Sequence, residues 1–416
     1  MENSEKHIAV IGAGIAGVTT AWVLSQKGYR VTVFDKNRYP AMETSFANGG
    51  QLSASNAEVW TNMSTIIKGM RWLFRSDAPL SMNLWPSWHK YSWLAEFASN
   101  IGKYEEHTIA TAKLAIDSRK VMRDFSDQAG LSFDRIDRGI LHFYKSETEF
   151  AHAHHVTDLL AKAGLSRRRL TPDEVYAIEP ALCAPVIGGY YTESDFTGDI
   201  HKFAIGLAEA AHNQGVSFVM NAVVEDIKHR QAKPHISWKT MVGEVEDNSF
   251  DGVVVTAGVM SRKLASKLGD RVNIYPVKGY SITIDLKDAT SQAAAPTVSL
   301  LDDEAKIVTA RLGAERFRVA GTAEINGMNY DIRSHRIAPL TRWVEKNFPD
   351  ISTETVVPWA GLRPMMPSMM PHIGPGRKQG VYYNTGHGHL GWTLSCISAQ
   401  LIGDIIQSQH HQRLAG

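Results

Sequence analysis

Apolar and polar residues alternate along the chain in a pattern that predicts strands and helices in turn, most clearly at its start. Residues 8–11 form a short apolar run, a helical segment extends to about Lys27, and residues 31–34 form a second apolar run that ends at Asp35. Short apolar runs are typical of strands buried in a parallel sheet, and a helix between two of them makes a βαβ unit. Residues 1–55 therefore predict a βαβ unit and its exit loop.

The same patterning divides the later chain into helices, strands and one irregular stretch. The predicted helices cover 103–129, 171–180, 199–214 and 334–350, and a closing helix extends to about Gln407. The predicted strands cover 139–145, 188–194, 250–258, 276–286, 305–313, 316–325 and 381–385. Residues 359–376 are predicted to be rich in loops. The first and last thirds thus carry dinucleotide-type elements, and the middle carries a mixed sheet.

The predicted fold class is α/β, with a Rossmann-like nucleotide domain interrupted by a mixed-sheet α+β substrate domain. A chain of 416 residues is too long for one ordinary core, which favours two domains. The nucleotide domain is expected to combine residues 1–55, 196–270 and 355–416, and the substrate domain to combine 56–195 and 271–354.

A glycine fingerprint lies between the first strand and the first helix. Gly12 permits the tight turn, Gly14 lets a pyrophosphate approach the backbone, and Gly17 lets helix and strand pack closely. The helix N-terminus offers free N–H groups and a positive dipole end to the phosphates. Asp35 stands where a carboxylate binds a ribose 2′-hydroxyl. A bound dinucleotide is predicted.

Charge and cysteine content limit the classes of partner. Lys and Arg number 44 against 43 Asp and Glu, a balance that argues against nucleic acid as a partner. Cys183 and Cys396 lie far apart, which fits a reducing compartment and excludes a cysteine-based zinc site. The chain shows no signal peptide and no 18-residue apolar run, so a cytoplasmic location is expected, with docking on the inner face of the cell membrane left open.

Two further features look like sites but have plainer interpretations. The histidines at 152, 154 and 155 lack the spacing of a helical metal pair, so they are expected on a solvated helix face and no metal is predicted. Cys396 is expected to be a small buried residue of the closing helix.

Four motifs carry a resemblance to a known family. They are ETSFANGGQLS (43–53), PVKGYSIT (276–283), GLRPMMP (361–367) and NTGHGHLGWTLSC (384–396). In this order they resemble the FAD-dependent oxidoreductases of the D-amino-acid oxidase and glycine oxidase superfamily, and most closely the bacterial D-amino-acid dehydrogenase small-subunit type. The resemblance covers nearly the whole chain and implies a D-amino-acid oxidase-like fold with FAD as the cofactor.

The resemblance also implies which residues contact FAD. Asp35, where the family more often has Glu, would bind the adenosine ribose, and the backbone of Val224 would clamp the adenine. The N–H groups at the start of the closing helix would face the flavin N1–C2=O2 edge, where negative charge grows on reduction. The implied contacts are Gly12, Gly14, Gly17, Asp35, Lys36, Ser45, Asn48, Gly49, Gln51, Leu52, Val224, Thr256, Ala257, Gly258, Gly361, Gly388, Leu390, Gly391, Trp392 and Thr393.

Three residues are implied at the substrate. Arg363 would bind the substrate carboxylate, for which a planar and permanently charged guanidinium is suited. Tyr280 would close the pocket or hydrogen-bond the same carboxylate. The carbonyl of His389 would accept the substrate amino group; the family commonly has Gly there, so this side chain would narrow the pocket. His387 is expected to pack or hydrogen-bond nearby.

The implied activity is oxidation of D-amino acids by hydride transfer from Cα to flavin N5, followed by hydrolysis of the imino acid to a 2-oxo acid and ammonia. The electrons would pass to a quinone or another respiratory-chain acceptor. Two alternatives stay open: oxidation of secondary amino acids such as proline, N-methylglycine or opine-like substrates, and a non-catalytic flavin-binding sensor.

Residues 56–100 hold five of the ten tryptophans. They are expected to form the core and lid of the substrate domain. Two other interpretations are a gate over the pocket and an exposed apolar patch that meets a membrane or a quinone-reducing partner. The basic and apolar segment 66–75 is the best support for the membrane patch.

Overall fold

A computed structural model describes residues 6–63, 65, 67, 69, 78–230 and 233–415, with only the backbone described at 411–415. Its strands are β1 (His7–Ile11), β2 (Arg30–Phe34), β3 (Gln51–Leu52), β4 (Leu80–Met82), β5 (Ile140–Tyr144), β6 (Arg168–Leu170), β7 (Gly188–Thr192), β8 (Phe196–Thr197), β9 (Ser217–Val219), β10 (Val223–Arg230), β11 (Lys233–Lys239), β12 (Val245–Ser249), β13 (Gly252–Val255), β14 (Tyr275–Asp285), β15 (Ser299–Asp302), β16 (Ile307–Leu312), β17 (Arg316–Ile325), β18 (Val356–Met365), β19 (His372–Pro375) and β20 (Val381–Thr385).

Helices alternate with these strands as the apolar pattern predicts. They are α1 (Ile15–Gln26), α2 (Trp88–Ser99), α3 (Tyr104–Gln128), α4 (Glu147–Lys162), α5 (Pro172–Ile178), α6 (Ile200–Asn213), α7 (Ser261–Leu268), α8 (Ala289–Ala294), α9 (Ser334–Asn347) and α10 (Gly391–Ala415).

The first sheet is the nucleotide-type sheet that the sequence predicts. Its strand order is β19-β20-β13-β1-β2-β9, with β1 parallel to both β2 and β13, and only the edge strand β19 runs antiparallel. The predicted first strand at 8–11 begins one residue earlier, and α1 ends one residue before Lys27. Trp22 of α1 is almost fully buried beside Val10 and Val33 in the core under this sheet.

The second sheet is mixed and larger, as expected for a substrate domain. Its order is β18-β14-β17-β16-β15-β5-β7-β6, and β4 pairs with β17. On one face, Ile282 and Ile284 of β14 pack with Leu340 and Val344 of α9. This leaves the other face, which carries Gly279 and Ser281, free to border a cavity.

The loop prediction for residues 359–376 is wrong, because two strands lie there. β18 pairs with β14 along ten residues, from Tyr275↔Met365 to Ile284↔Val356, and β19 pairs with β20. Pro358 and Pro364 argue against a strand in the sequence. β18 tolerates them because it lies at the sheet edge, where a missing N–H removes no hydrogen bond to a second neighbouring strand. The nucleotide domain was assigned residues 355–416, yet β18 belongs to the mixed sheet; the domain boundaries stay a prediction.

The tryptophan-rich stretch combines buried and exposed rings. Trp93 of α2, a helix that the sequence analysis missed, is buried and donates its indole N–H to the Met365 carbonyl at 2.8 Å. Trp85 and Trp88 are 79% and 84% exposed. The segment 66–75 lies almost entirely outside the described residues. Among the helices that the structure does describe, none has the length and apolar character needed to span a membrane.

Candidate active site

A cavity of about 700 Å³ opens where the two sheets face each other. Nearly all the residues that the sequence nominates line it: Gly12, Gly14, Asp35, Lys36, Ser45, Asn48, Gly49, Gln51, Val224, Thr256, Ala257, Gly258, Tyr280, Gly361, Arg363, Gly388, His389, Leu390, Gly391, Trp392 and Thr393. Gly17 and Leu52 lie behind the wall, where Leu52 is fully buried in the core of the nucleotide sheet.

The glycine turn after β1 packs so tightly that side chains would not fit. Gly12 has φ +108°, and a Cβ there would lie 2.9 Å from the Thr256 carbonyl oxygen. A Cβ on Gly17 would lie 1.8 Å from the Gly12 carbonyl oxygen. Gly14 borders the open cavity at the N-terminus of α1, and its Cβ would meet only the Ser45 hydroxyl, at 3.5 Å. The turn therefore presents bare backbone and a helix N-terminus to the cavity.

Asp35 ties the end of β2 to this turn. One of its carboxylate oxygens accepts from the Ala13 N–H at 2.7 Å, and the other accepts from the Asn37 N–H at 2.8 Å. Burial raises the pKa of this carboxyl above its usual value, while the two hydrogen bonds oppose the rise. Asp35 also lines the cavity, and the ribose contact expected of it stays a prediction.

The loop 43–53 brings backbone close to the centre of the cavity. Ser45 accepts from the Ile15 N–H of α1 at 3.0 Å. A Cβ on Gly49 would lie 2.5 Å from the Val308 side chain of β16, so only glycine allows this approach. The Gln51 amide donates to Ser299 at 2.9 Å, whereas its buried carbonyl oxygen has no partner in the described part of the chain. An unpaired buried oxygen at a cavity wall calls for a donor from a ligand.

The turn before α10 forms the opposite wall. Gly391, Trp392 and Thr393 occupy the first turn of α10 and line the cavity, at the positive end of the helix dipole. The Thr393 hydroxyl accepts from the Ser53 N–H at 3.3 Å, which joins this turn to the loop 43–53. Met365 of β18 forms an isolated antiparallel bridge with His387 and so fixes the turn to the mixed sheet.

The two histidines of this turn are neutral at pH 7. Burial lowers the pKa of His387 to about 4, and its Nε2 hydrogen-bonds Ser398 at 3.0 Å. Burial, aided by the nearby positive charge of Arg363, lowers the pKa of His389 to about 4. The His389 ring stacks on Trp60 with the ring centroids 4.7 Å apart. The His389 side chain therefore narrows the cavity as an uncharged ring.

Arg363 is a partly buried cation on the cavity wall. Its Nη1 donates to the Thr322 carbonyl at 3.1 Å, and it has no carboxylate partner among the described residues. Burial lowers the pKa of the guanidinium to about 10, so it remains charged at neutral pH. A buried charge without a counterion is costly, and an incoming carboxylate would satisfy it.

Two residues that sequence reasoning missed position this arginine. The guanidinium lies across Gly279 of β14, where a Cβ would be 2.3 Å from the Arg363 side chain. Thr322 of β17 has φ +59°, and the pairing of β14 with β17 shifts register there, which marks a β-bulge. The bulge turns the Thr322 carbonyl toward Arg363. Gly279 lies within the motif PVKGYSIT, so the sequence pointed to its neighbourhood. No motif or pattern pointed to Thr322.

Tyr280 points away from the cavity, although its backbone lines it. Its ring packs with Ile282 and Ile284 on the face of β14 that meets α9. Its hydroxyl donates to Glu324 at 2.7 Å, and Lys278 lies 3.3 Å from the same carboxylate. The geometry gives the Tyr280 hydroxyl a structural partner, so its expected contact with the substrate carboxylate finds no support here.

The lining of the cavity fits FAD in its chemistry. The turn after β1 presents bare backbone because a Cβ would not fit there, and the buried Gln51 oxygen, which has no partner within the described residues, lies on the cavity wall. The N-termini of α1 and α10 both border the cavity. In the part of the chain that the structure covers, no group of three or more His, Cys, Asp or Glu side chains is placed to hold a metal ion.

Comparison with known proteins agrees with this geometry. Residues 7–405 match the model of the DAO family, described as FAD dependent oxidoreductase. The chain is 56% identical to D-amino acid dehydrogenase 3 of Mesorhizobium japonicum over 399 residues, which is 96% of each chain. It is 39% identical to D-amino acid dehydrogenase of Paramagnetospirillum magneticum, covering 97% of this chain and 95% of that protein.

Solved structures share the fold at low sequence identity. Glycine oxidase from Bacillus cereus superposes with a TM-score of 0.73 at 22% identity, covering 97% of this chain and 96% of that one. L-proline dehydrogenase from P. horikoshii superposes with a TM-score of 0.75 at 16% identity, covering 97% and 94%. The predicted α/β fold of D-amino-acid oxidase type and the predicted cofactor, FAD, are confirmed, and the chain belongs to the DAO family of FAD-dependent oxidoreductases.

Proposed function

We propose that this protein is a D-amino-acid dehydrogenase, which oxidises D-amino acids to 2-oxo acids and ammonia. The observation that carries the proposal is the partly buried guanidinium of Arg363, which lacks a carboxylate partner in the described residues and lines the cavity that fits FAD. The relatives of 56% and 39% identity, both named D-amino acid dehydrogenase, support the choice of substrate.

Arg363 binds the substrate α-carboxylate in this mechanism. The Thr322 carbonyl and the surface of Gly279 hold the guanidinium in one orientation, so a bidentate contact fixes the carboxylate with little further ordering. The carbonyl of His389 accepts a hydrogen bond from the substrate amino group. Two fixed points leave one face of the α-carbon toward the cofactor.

The substrate amine must lose its proton before its Cα–H bond breaks. The positive charge of Arg363 and the low polarity of the buried site both lower the pKa of a bound ammonium group. The neutral rings of His389 and Trp60 add no charge that would oppose this. Orientation of the substrate and exclusion of water thus favour the neutral amine, so that no side-chain base is needed.

When bound, FAD would supply the acceptor for the hydride that leaves Cα. The first turn of α10 borders the cavity, and its backbone N–H groups and positive dipole end would stabilise the negative charge that grows on the reduced flavin. The remaining imino acid is hydrolysed by water to the 2-oxo acid and ammonia. The electrons then pass to a quinone or another respiratory-chain acceptor, which takes up two electrons and two protons, at the inner face of the membrane.

Anaerobic titration of the purified flavoprotein tests the proposal. D-amino acids are expected to bleach the flavin spectrum, and quinone analogues are expected to restore it faster than air does. Bleaching by proline or N-methylglycine alone would replace the proposal with oxidation of secondary amines. Bleaching by no amino acid would overturn it in favour of a non-catalytic flavoprotein.

A further inference from the structure

The cavity continues past the position of Arg363 into a polar compartment that the mechanism above does not use. It lies between helix α4 and the mixed sheet, and we call it the distal chamber. Its polar lining residues are Glu58, His142, Tyr144, Glu149, His152, Arg167, Asp303 and Lys306. β5 supplies His142 and Tyr144, whereas Asp303 and Lys306 lie in the turn between β15 and β16.

The acidic groups of the distal chamber already have partners. One oxygen of Glu58 accepts from the Tyr104 hydroxyl at 2.6 Å and lies 3.1 Å from His152. Asp303 forms an ion pair with Lys306, whose positive charge keeps the pKa of that carboxyl low. Glu149 is also engaged in interactions within the fold. The chamber therefore offers little unsatisfied negative charge to a ligand.

Arg167, in contrast to these acidic groups, is a cation that lacks an ion-pair partner among the described residues. It is 9% exposed; its Nη1 donates to the Thr157 hydroxyl at 3.1 Å, and its guanidinium lies 5.0 Å from the centre of the Tyr190 ring. Its Nε and Nη2, and the buried Tyr144 hydroxyl beside it, form no well-aligned hydrogen bond within the described ranges, although Arg167 and Tyr144 lie close enough to interact with each other. Buried donors without partners are costly, and these belong to a cation without a carboxylate.

We propose that the distal chamber binds a second anionic group, carried on the side chain of an elongated amino-acid substrate. Arg363 binds the α-carboxylate of this substrate, and Arg167 with Tyr144 binds the carboxylate at the end of its side chain. A guanidinium with two free N–H groups suits a carboxylate, to which it can donate twice. The inference rests on the proposed function and adds a substrate class to it.

The distance between Arg363 and Tyr144 favours a long substrate over a short one. β18, which carries Arg363, and β5, which carries Tyr144, are five strand positions apart. Neighbouring strands lie about 4.8 Å apart, so the two strands are separated by about 24 Å if the sheet is taken as flat. The Arg363 side chain crosses Gly279 and reaches the Thr322 carbonyl of β17, which shortens the gap, and a dicarboxylic amino acid spans much of the rest. D-alanine would fill only the end near Arg363.

A substrate series tests the proposal on the FAD-loaded enzyme. D-glutamate and D-2-aminoadipate are compared with D-glutamine, D-norleucine, D-lysine and D-alanine, by kcat/KM and by anaerobic bleaching of the flavin. We expect at least a 10-fold higher kcat/KM for an acidic substrate than for the neutral one of similar length, mainly through KM. A preference for D-lysine, or equal values for all side chains, would overturn the inference.

Variants assign the preference to Arg167. Arg167→Met is expected to lower kcat/KM for the acidic substrates about 10- to 100-fold and to leave D-alanine nearly unchanged. Arg168→Met is the matched control, because that side chain is exposed and pairs with Glu174 outside the cavity. An equal loss for D-alanine and the acidic substrates in Arg167→Met, with the flavin spectrum intact, would contradict the assignment.

Tyr144→Phe gives a second, milder variant should Arg167→Met fold poorly. The hydroxyl forms no well-aligned hydrogen bond among the described residues, so its removal costs the fold little. We expect a smaller loss confined to the acidic substrates, and an unchanged acidic preference would count against the inference. Bleaching by D-alanine without any side-chain preference overturns this inference alone, whereas no bleaching at all overturns the proposed function as well.

Discussion

Backbone builds the cofactor side of the cavity, whereas side chains from distant strands build its substrate side. Gly12, Gly14 and Gly17 lie within a stretch of six residues. Because they have no side chains, the backbone N–H groups at the N-terminus of α1 stay uncovered. Arg363 depends instead on Gly279 and Thr322, which reach it through strand pairing. A local motif can therefore fix a cofactor site, but a substrate site depends on the register of a whole sheet.

The largest effect is expected on the cofactor side. Gly17→Ala would place a Cβ 1.8 Å from the Gly12 carbonyl oxygen, and backbone on both sides cannot yield cheaply. We expect protein without bound flavin and with a strongly lowered Tm, measured by the absorbance of the purified protein and by thermal melting.

Gly102→Ala is the matched control, since a Cβ there meets no atom within 4 Å among the described residues. It should keep its flavin and its Tm. If Gly17→Ala still bound FAD fully, the backbone of the turn after β1 would have to shift to make room for the Cβ. The tight packing of that turn would then not be required for cofactor binding.

The next largest effect is expected from a change that impairs substrate binding but not FAD binding. Arg363→Met is expected to retain FAD but to lose about 100- to 1000-fold in kcat/KM for D-amino acids, because two charge-assisted hydrogen bonds to the carboxylate are lost. Steady-state kinetics and the flavin spectrum measure the two properties. Arg377→Met, at an exposed arginine of the same C-terminal region, is the control. Near-normal kcat/KM in Arg363→Met would remove the carboxylate assignment.

A smaller loss is expected from Gly279→Ala. Its Cβ would lie 2.3 Å from the Arg363 guanidinium, which is a flexible end that can move aside at the cost of its orientation. We expect KM to rise about 10-fold while FAD binding is retained. In an Arg363→Met background the same change should add almost nothing, and an additive loss would show that Gly279 acts by another route.

The smallest effect concerns acid stability where the two sides meet. His387 and His389 have pKa values of about 4 in the fold, below the usual value near 6.5. The unfolded chain therefore binds more protons between these values, so their stabilising contribution is complete above pH 6.5 and is lost as the pH falls toward 4. The Tm of the FAD-loaded protein should decline across this window.

His387→Gln should make that decline shallower, because one group that must stay neutral is removed. The exchange keeps a polar group near Ser398, which His387 contacts. A variant whose Tm falls as steeply as that of the parent would mean that other groups, such as the buried His142, dominate the acid response.

The sequence analysis succeeded where the signal was local. The βαβ unit was predicted to within about one residue at each strand, and the helix predicted from residue 171 begins there, where Thr171 and Glu174 cap it with reciprocal hydrogen bonds. Nearly all nominated cofactor residues border one cavity, because their motifs lie in loops at the ends of strands that the sequence places correctly.

Prediction failed where long-range pairing decides the structure. β18 was missed because Pro358 and Pro364 break the alternating pattern, and only its place at the sheet edge makes them tolerable. Tyr280 stays a prediction as a substrate contact; the Glu324 partner of its hydroxyl lies on a paired strand that no local pattern reveals. Thr322 was invisible for the same reason, since its bulge exists only against Gly279.

The bridge between Met365 and His387 has a mechanical consequence. It fastens the strand that carries Arg363 to the turn at the start of α10, near the point where the chain crosses from one sheet to the other. A pivot of the sheets about each other would have to break this bridge. If Arg363 holds the substrate as proposed, the bridge therefore sets the spacing between the substrate carboxylate and the first turn of α10.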